Sequence, residues 1–329
     1  MMVEAGSILK VGIVGTGYAA KKRAEAIKAD RRSQLIAVTG NHPQRAAEFA
    51  RNLEVEAVDS WSELVNLPEL DLVFVCTINQ GCDAIARAAI LAGKHVVVEY
   101  PLAMEAEVAA EIIELAKVNQ RLLHVEHIEI IGGLHSAIKQ CLSKIGKVFY
   151  ARYATISSQT SDPDSWKYNK SKFGFPLAAA LSRIHRLTNL FGEVKAVSCH
   201  NRYWLAGSDY FTACLCNARL KFEAGVIAEV TYGKGDVFHH SHRTLEIYGE
   251  QGTILFTGER GKLIKNKIET EIQVTSRHGL FAKDTAMVLD CLFDGQPLYI
   301  QPQASLYALK VANAAQESNA LSRTVFLND

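Results

Sequence analysis

At 329 residues, with 48% hydrophobic and 22% charged side chains, the chain is too long for one ordinary core and too apolar to be disordered or fibrous. Thirty-six basic residues against 35 acidic ones leave a net charge of +1, which excludes a broad field for nucleic acid or anionic lipid; an anionic partner must be small and met locally. The seven cysteines are odd in number and scattered through apolar stretches, and no segment reads as a signal peptide or a membrane span, so a disulfide framework is excluded and a reducing, cytoplasmic setting is expected.

From Ile8 to about Tyr100, short apolar runs alternate with helical patterns: Leu9 to Val14, Ala19 to Ala29, Leu35 to Thr39, Pro43 to Asn52, Leu72 to Thr77, Ala84 to Ala92 and His95 to Glu99. Strands that are apolar along their whole length predict a parallel sheet covered on both faces by crossover helices. A helix over Glu105 to Asn119 and a strand over Leu122 to Val125 extend it. After Gly146 the strands lengthen and alternate: Lys147 to Ile156, Lys195 to Tyr203, Cys214 to Phe222, Val226 to Tyr232, Arg243 to Tyr248, Thr253 to Phe256 and Ile268 to Val274. That pattern predicts a mostly antiparallel sheet with one face exposed or covered by ligand. One helix over Gly174 to Gly192 interrupts it, and helices over Leu280 to Phe293 and Ala304 to Ser318 close the chain. The fold class is α/β: a doubly wound domain over 1–128, then an α+β domain with a large open sheet over 129–329, a C-terminal helix packing back on the first. The boundary is expected between Val125 and Gly146.

The first strand runs into Gly15-Thr16-Gly17-Tyr18-Ala19-Ala20, a G-x-G-x-x-A turn that opens a helix. Gly15 permits the tight turn, Gly17 lets a pyrophosphate approach the backbone, and Ala20 allows the helix to lie close on the strand. This is the fingerprint of a Rossmann domain. An NAD-specific site usually ends its second strand in Asp or Glu, whereas here Gly40-Asn41-His42 follow Thr39 and Arg45 lies one turn on. Donors in place of a carboxylate predict NADPH; the other reading leaves Arg45 solvated and the site open to both cofactors.

Two further stretches, Asp71-Leu72-Val73-Phe74-Val75-Cys76-Thr77-Ile78-Asn79 and Ala92-Gly93-Lys94-His95-Val96-Val97-Val98-Glu99-Tyr100-Pro101-Leu102, resemble the glucose–fructose oxidoreductase, inositol dehydrogenase and rhizopine-catabolism (Gfo/Idh/MocA) family. The resemblance covers nearly the whole chain and implies cofactor contacts from Thr77, Ile78, Asn79, Glu99 and Tyr100. Most members carry Glu-Lys-Pro where this chain has Glu99-Tyr100-Pro101, and an Asp and a His on a later helix where it has Ser182 and Arg186. Cys82 stands where the family usually has His. Without those groups nothing takes an alcohol's proton, which argues against a sugar or polyol dehydrogenase; His185 is turned about 100° from the required face. The runs Leu123 to Glu129, Phe173 to Pro176 and Ser182 to Thr188 are similar to one branch of the family, the biliverdin reductases, above all the cyanobacterial form. That branch implies a monomer that uses NADPH to deliver hydride to the central methine bridge of biliverdin IXα, giving bilirubin.

Such a substrate is a flat tetrapyrrole with two propionates, and the resemblance implies that it lies between the nicotinamide and the exposed face of the second sheet. Arg183 is expected to stabilise the reduced bilin or clamp it, with Arg186 on the same side of the helix meeting a propionate at the rim. Arginine stays protonated, so the proton must come from water, a ring nitrogen, a propionic acid or Tyr100. Tyr100 alternatively packs against the cofactor, and Arg183 alternatively is a surface charge. Glu126, His127 and Phe175 are further expected substrate contacts, although Glu126, His127 and Glu129 also read as a structural group at a strand end. His239, His240 and His242 read as a solvated loop rather than a metal site, and Cys214 and Cys216 as buried apolar groups on one strand face. Two other functions stay open: a carbonyl or imine reductase on the same scaffold, and a catalytically silent cofactor-binding regulator.

Overall fold

The computed structural model describes residues 6–327, so the outermost ends of the two expected domains, 1–5 and 328–329, lie outside the described residues. The chain divides into two units, one holding the residues up to Ile128 together with His278–Leu306, the other Glu129–Arg277 with the residues from Tyr307 on.

The first unit runs β1 (Leu9–Val14), α1 (Tyr18–Ala29), β2 (Ser33–Thr39), α2 (Pro43–Leu53), β3 (Glu56–Ala57), α3 (Trp61–Val65), β4 (Leu72–Val75), α4 (Cys82–Leu91), β5 (His95–Glu99), α5 (Ala106–Val118) and β6 (Leu123–Glu126). Its six strands are all parallel, in the order β3-β2-β1-β4-β5-β6. The order reverses between β1 and β4, and open sheets of this kind bind ligands at that switch, beyond the carboxyl ends of the strands. Four-residue β4 is buried at every position, which is why it reads as a plain apolar run. The returning helix α10 (Leu280–Asp294) belongs to this unit and sets Val288, Leu289 and Leu292 into the core beside Val11, Ala20 and Ile27.

The second unit holds α6 (Gly133–Leu142), β7 (Val148–Ser158), α7 (Lys170–Phe173), α8 (Pro176–Ala179), α9 (Ser182–Phe191), β8 (Val194–Leu205), β9 (Phe211–Phe222), β10 (Ile227–Gly235), β11 (His242–Gly249), β12 (Gly252–Thr257), β13 (Arg260–Lys265) and β14 (Ile268–Ile272). The helix α11 (Pro302–Leu321) begins in the first unit's share of the chain and ends in the second's, where β15 (Val325–Phe326) follows. The sheet order is β14-β13-β12-β11-β7-β10-β9-β8-β15, antiparallel except for the parallel pair β7 and β10. Along β9 the residues Cys216, Ala218, Leu220 and Phe222 are buried while Asn217, Arg219 and Lys221 are exposed, so one face is covered and the other meets solvent. The helices α8 and α9 pack against β9 and β10.

Two readings of the sequence need correction. The single helix expected over Gly174 to Gly192 is two, because Ala180 adopts φ −107°, ψ 36° and ends α8 before Leu181 starts α9. The strand β13 was not expected: Arg260, Lys262 and Lys265 put too much charge in six residues to read as a strand, and ladders to β12 and β14 on either side hold it.

Candidate active site

The turn after β1 is built for a ligand's phosphates. Gly15 has φ 129°, and a Cβ there would stand 2.1 Å from the Cys76 carbonyl oxygen, so neither the backbone nor the space admits a side chain. At Gly17 a Cβ would meet no protein atom within 4 Å, so the space beside that backbone is open to a ligand. The first turn of α1 carries no acidic residue and no side-chain cap, which leaves its N–H groups and positive dipole end for an anion. Ala20 is buried against the strand. Gly40 accommodates Thr16, whose Cγ2 would lie 2.9 Å from a Cβ at that position. Asn41, His42 and Arg45 are exposed after β2, with no carboxylate in the first turn of α2.

Thr77 and Ile78 are half-buried and Asn79 buried beyond β4. Cys82, the departure from the family pattern, turns its thiol onto the Ile78 carbonyl at 3.1 Å, and burial pushes it up to about 12, so it caps the turn as a neutral group.

A buried charge network supports the far side of this site. Arg23 on α1 donates to Glu99 Oε1 at 2.8 Å, to Asp284 and to Thr285 Oγ1 at 3.0 Å, and its guanidinium lies over Phe74 and Phe281. Asp284 also accepts from Tyr299 Oη and meets His124 Nε2, both at 2.8 Å. Burial works against its carboxylate, yet Arg23 and His124 hold it well below the usual range. The Tyr100 ring, just before the cis Tyr100-Pro101 peptide, stacks on His127 with centroids 5.1 Å apart and planes 2° from parallel. His127 is fully buried, its Nε2 is 2.9 Å from Ser305 Oγ, and its backbone N–H donates to Tyr299 Oη at 3.0 Å. Burial, with His124 beside it, pushes its pKa down to about 3, so the ring is neutral. Glu126 is buried as well and accepts from the Ile128 N–H. Glu126 and His127, expected as substrate contacts, are both enclosed, and His127 backs the Tyr100 ring.

In the second unit the two arginines of α9 come together, on the helix-covered face of the sheet rather than the exposed one. Arg183 is half-buried, donates to Ser182 Oγ at 3.0 Å and lies over the Tyr232 ring at 5.6 Å. Arg186, expected to meet a propionate, is 1% exposed. Its Nε and Nη1 have no hydrogen-bond partner among the described residues, and it reaches Tyr153 on β7. Arg243 on β11 donates to Tyr153 Oη at 2.7 Å. Arg243 and Tyr153 were not singled out in the sequence. A signal was there: Arg243 shares a period of two with inward-facing Leu245 and Ile247, a charge at the start of an apolar alternation.

Phe175, half-buried, lines a cavity of about 570 Å³ with Lys170, Asn201, Tyr203 and Asn319. Nearby, the Lys234 ammonium sits 3.6 Å from the Phe173 ring centroid and 4.7 Å from that of Tyr168, donating to the Lys167 carbonyl at 2.5 Å. His239, His240 and His242 are exposed, and no group of three metal-ligating side chains occurs among the described residues. Cys214 and Cys216 are buried free thiols, the second 3.5 Å from Cys199.

This nucleotide loop on a doubly wound sheet, joined to a sheet unit with arginines at its helix, defines a nicotinamide-dependent oxidoreductase. Residues 9–127 match the model of an oxidoreductase family with an NAD-binding Rossmann fold and residues 139–327 match its C-terminal alpha/beta domain, so the chain belongs to the Gfo/Idh/MocA family. It is similar to the biliverdin reductase of Synechocystis sp. PCC 6803, whose crystal structure is a complex with biliverdin and NADP+: 52% identity, TM-score 0.93, over 95% of this chain and 99% of that one. Biliverdin reductase A of Mus musculus is 29% identical over 57% of this chain, and that of Homo sapiens 28% identical over 46%. The alignments span 60% and 49% of those two curated relatives. No helix among the described residues is long and apolar enough to cross a membrane.

Proposed function

We propose that this protein uses NADPH to reduce biliverdin IXα to bilirubin, with the hydride delivered to the central methine bridge. The observation that carries the reading is the 52% identity, over both units, to a biliverdin reductase in complex with biliverdin and NADP+. The chemistry of the residues agrees. Where an alcohol dehydrogenase of this family needs a base, α9 offers Ser182 and Arg186, which suits addition of hydride to a conjugated acceptor rather than its removal from a hydroxyl.

When bound, NADPH supplies the hydride. Gly15, Thr16, Gly17, Tyr18, Ala19 and Ala20 present backbone N–H groups and a helix dipole to the pyrophosphate. Gly40, Asn41, His42 and Arg45 leave room and donors for a 2′-phosphate. Thr77, Ile78, Asn79, Glu99 and Tyr100 form the nicotinamide side, with Tyr100 held flat by His127. Arg183 stabilises the electron density that reduction places on the pyrrole rings, and Arg186 is the deeper cation behind it. The substrate is read as small, the enzyme as a cytoplasmic monomer with no nucleic-acid or membrane partner.

The test is an absorbance assay of purified protein with biliverdin IXα and each cofactor. One NADPH consumed per bilirubin formed, with NADPH more efficient than NADH, is the expected result. Tight NADPH binding without turnover of any bilin would overturn the reading in favour of a cofactor-binding regulator.

A further inference from the structure

Tyr153 lies in the middle of the arginine cluster of the second unit, 2% exposed. Arg243 donates to its oxygen at 2.7 Å, and Arg186 adds its charge beside it. Arg183 stands close enough to add its charge, and Glu129, drawn 3.9 Å toward Arg277, is the opposing carboxylate. Arg243 is the hydrogen-bond partner of that oxygen, and the phenol's own proton meets no acceptor among the described residues. A phenol that accepts a charge-assisted hydrogen bond beside further guanidiniums, and commits its proton to no neighbour, is arranged as a donor whose conjugate base is already stabilised.

We propose that Tyr153 is the proton store of this site, giving up its proton as the substrate takes hydride and recovering one from solvent. The proposal rests on the reductase reading. In the reaction a C–H bond forms at the methine carbon from the hydride, and the displaced electron pair passes along the conjugated system to a pyrrole nitrogen. That nitrogen forms an N–H bond as the Tyr153 O–H bond breaks, and the phenolate left behind keeps the pair between Arg186 and Arg243. The net change is two electrons and one proton from outside the cofactor, which matches the stoichiometry of a methine reduction. Arg186 Nε and Nη1, free of acceptors, lie beside the phenol and suit a substrate carboxylate, which would bring the polar edge of the tetrapyrrole to the proton.

Burial raises the pKa of this phenol, but Arg186, Arg243 and Arg183 together outweigh it and bring it below the ordinary value. Turnover should therefore fall as pH rises through that pKa, because only the protonated phenol gives a proton. The experiment follows tyrosinate absorbance against pH for wild type, Tyr153→Phe and Arg243→Gln, alongside the pH profile of turnover. In the wild type one phenol should ionise ahead of the rest; Tyr153→Phe should lose that step, retain its NADPH affinity and turn over about a hundredfold more slowly, the loss typical of a missing general acid. Arg243→Gln should move both the ionisation and the alkaline limb to higher pH. Wild-type activity and pH profile in Tyr153→Phe, or a raised KM with unchanged kcat, would overturn the proposal while leaving the reductase reading intact. A wild type inert to biliverdin overturns both.

Discussion

The two units bury arginine in opposite ways. In the first, Arg23 is surrounded by Glu99, Asp284 and Thr285, and Asp284 in turn by His124 and Tyr299, so each charge has its counterpart. In the second, Arg183, Arg186 and Arg243 converge on one phenol with Glu129 as their opposing carboxylate. A partnered buried charge holds elements in place, whereas three like charges gathered about a single carboxylate cost stability and persist where a further anion is to be met.

The sharpest way to break this comparison is through stability. Asp284→Ala leaves Arg23 and His124 buried without their partner and should destabilise the protein by about 3–5 kcal/mol, the usual cost of removing one member of a buried pair. Arg186→Met, which removes a charge from the crowded cluster at similar volume, should leave the unfolding midpoint unchanged or raise it. Denaturant titration of both variants checks the contrast, and equal losses would end it. Next in size is Arg183→Ala. Loss of a preorganised charged donor should lower kcat about a hundredfold, roughly 2.7 kcal/mol, with NADPH affinity unchanged. Near-normal turnover of the folded variant would move the chemistry to another residue.

Smaller effects should appear with pH. His127 titrates at about 3 in the folded protein against about 6.5 in an unfolded chain, so between those values the unfolded chain holds a proton the native one lacks. Stability should decline as pH falls across that window, and His127→Gln should flatten the decline in part, since His95 and His135, both near 4, contribute over the same range. Smallest is Lys234, whose ammonium burial pushes down to about 8. Here the unfolded chain binds more protons between about 8 and the ordinary lysine value near 10.4, so stability should rise with pH there. Lys234→Met, filling the same aromatic box with a neutral chain, should remove that rise in denaturation curves taken across it.

What the sequence made legible was local. The G-x-G-x-x-A turn, the apolar runs of β1, β4 and β5 and the alternation of β9 can each be read within a dozen residues, and the residues after β2 spoke to the cofactor in the same way. The site's supports were not local. Arg23 and Asp284 are 261 residues apart, and nothing near either names the other. The break between α8 and α9 was hidden by Ala178, Ala179 and Ala180, whose strong helix propensity the packing of α8 on β9 overrides. His127 beside Glu126 left a contact reading and a structural reading open, because the Ser305 hydroxyl it meets lies 178 residues further on.

The return of His278–Leu306 to the first unit has a practical corollary for recombination between relatives. The nucleotide-binding half is not a cassette that ends at Ile128. A chimera joined there alone would take its α10 from the other parent, and with it the residue that answers Arg23. Exchange of the sheet unit should succeed only when all three seams, 128/129, 277/278 and 306/307, are cut together and α10 travels with the α1 it neutralises.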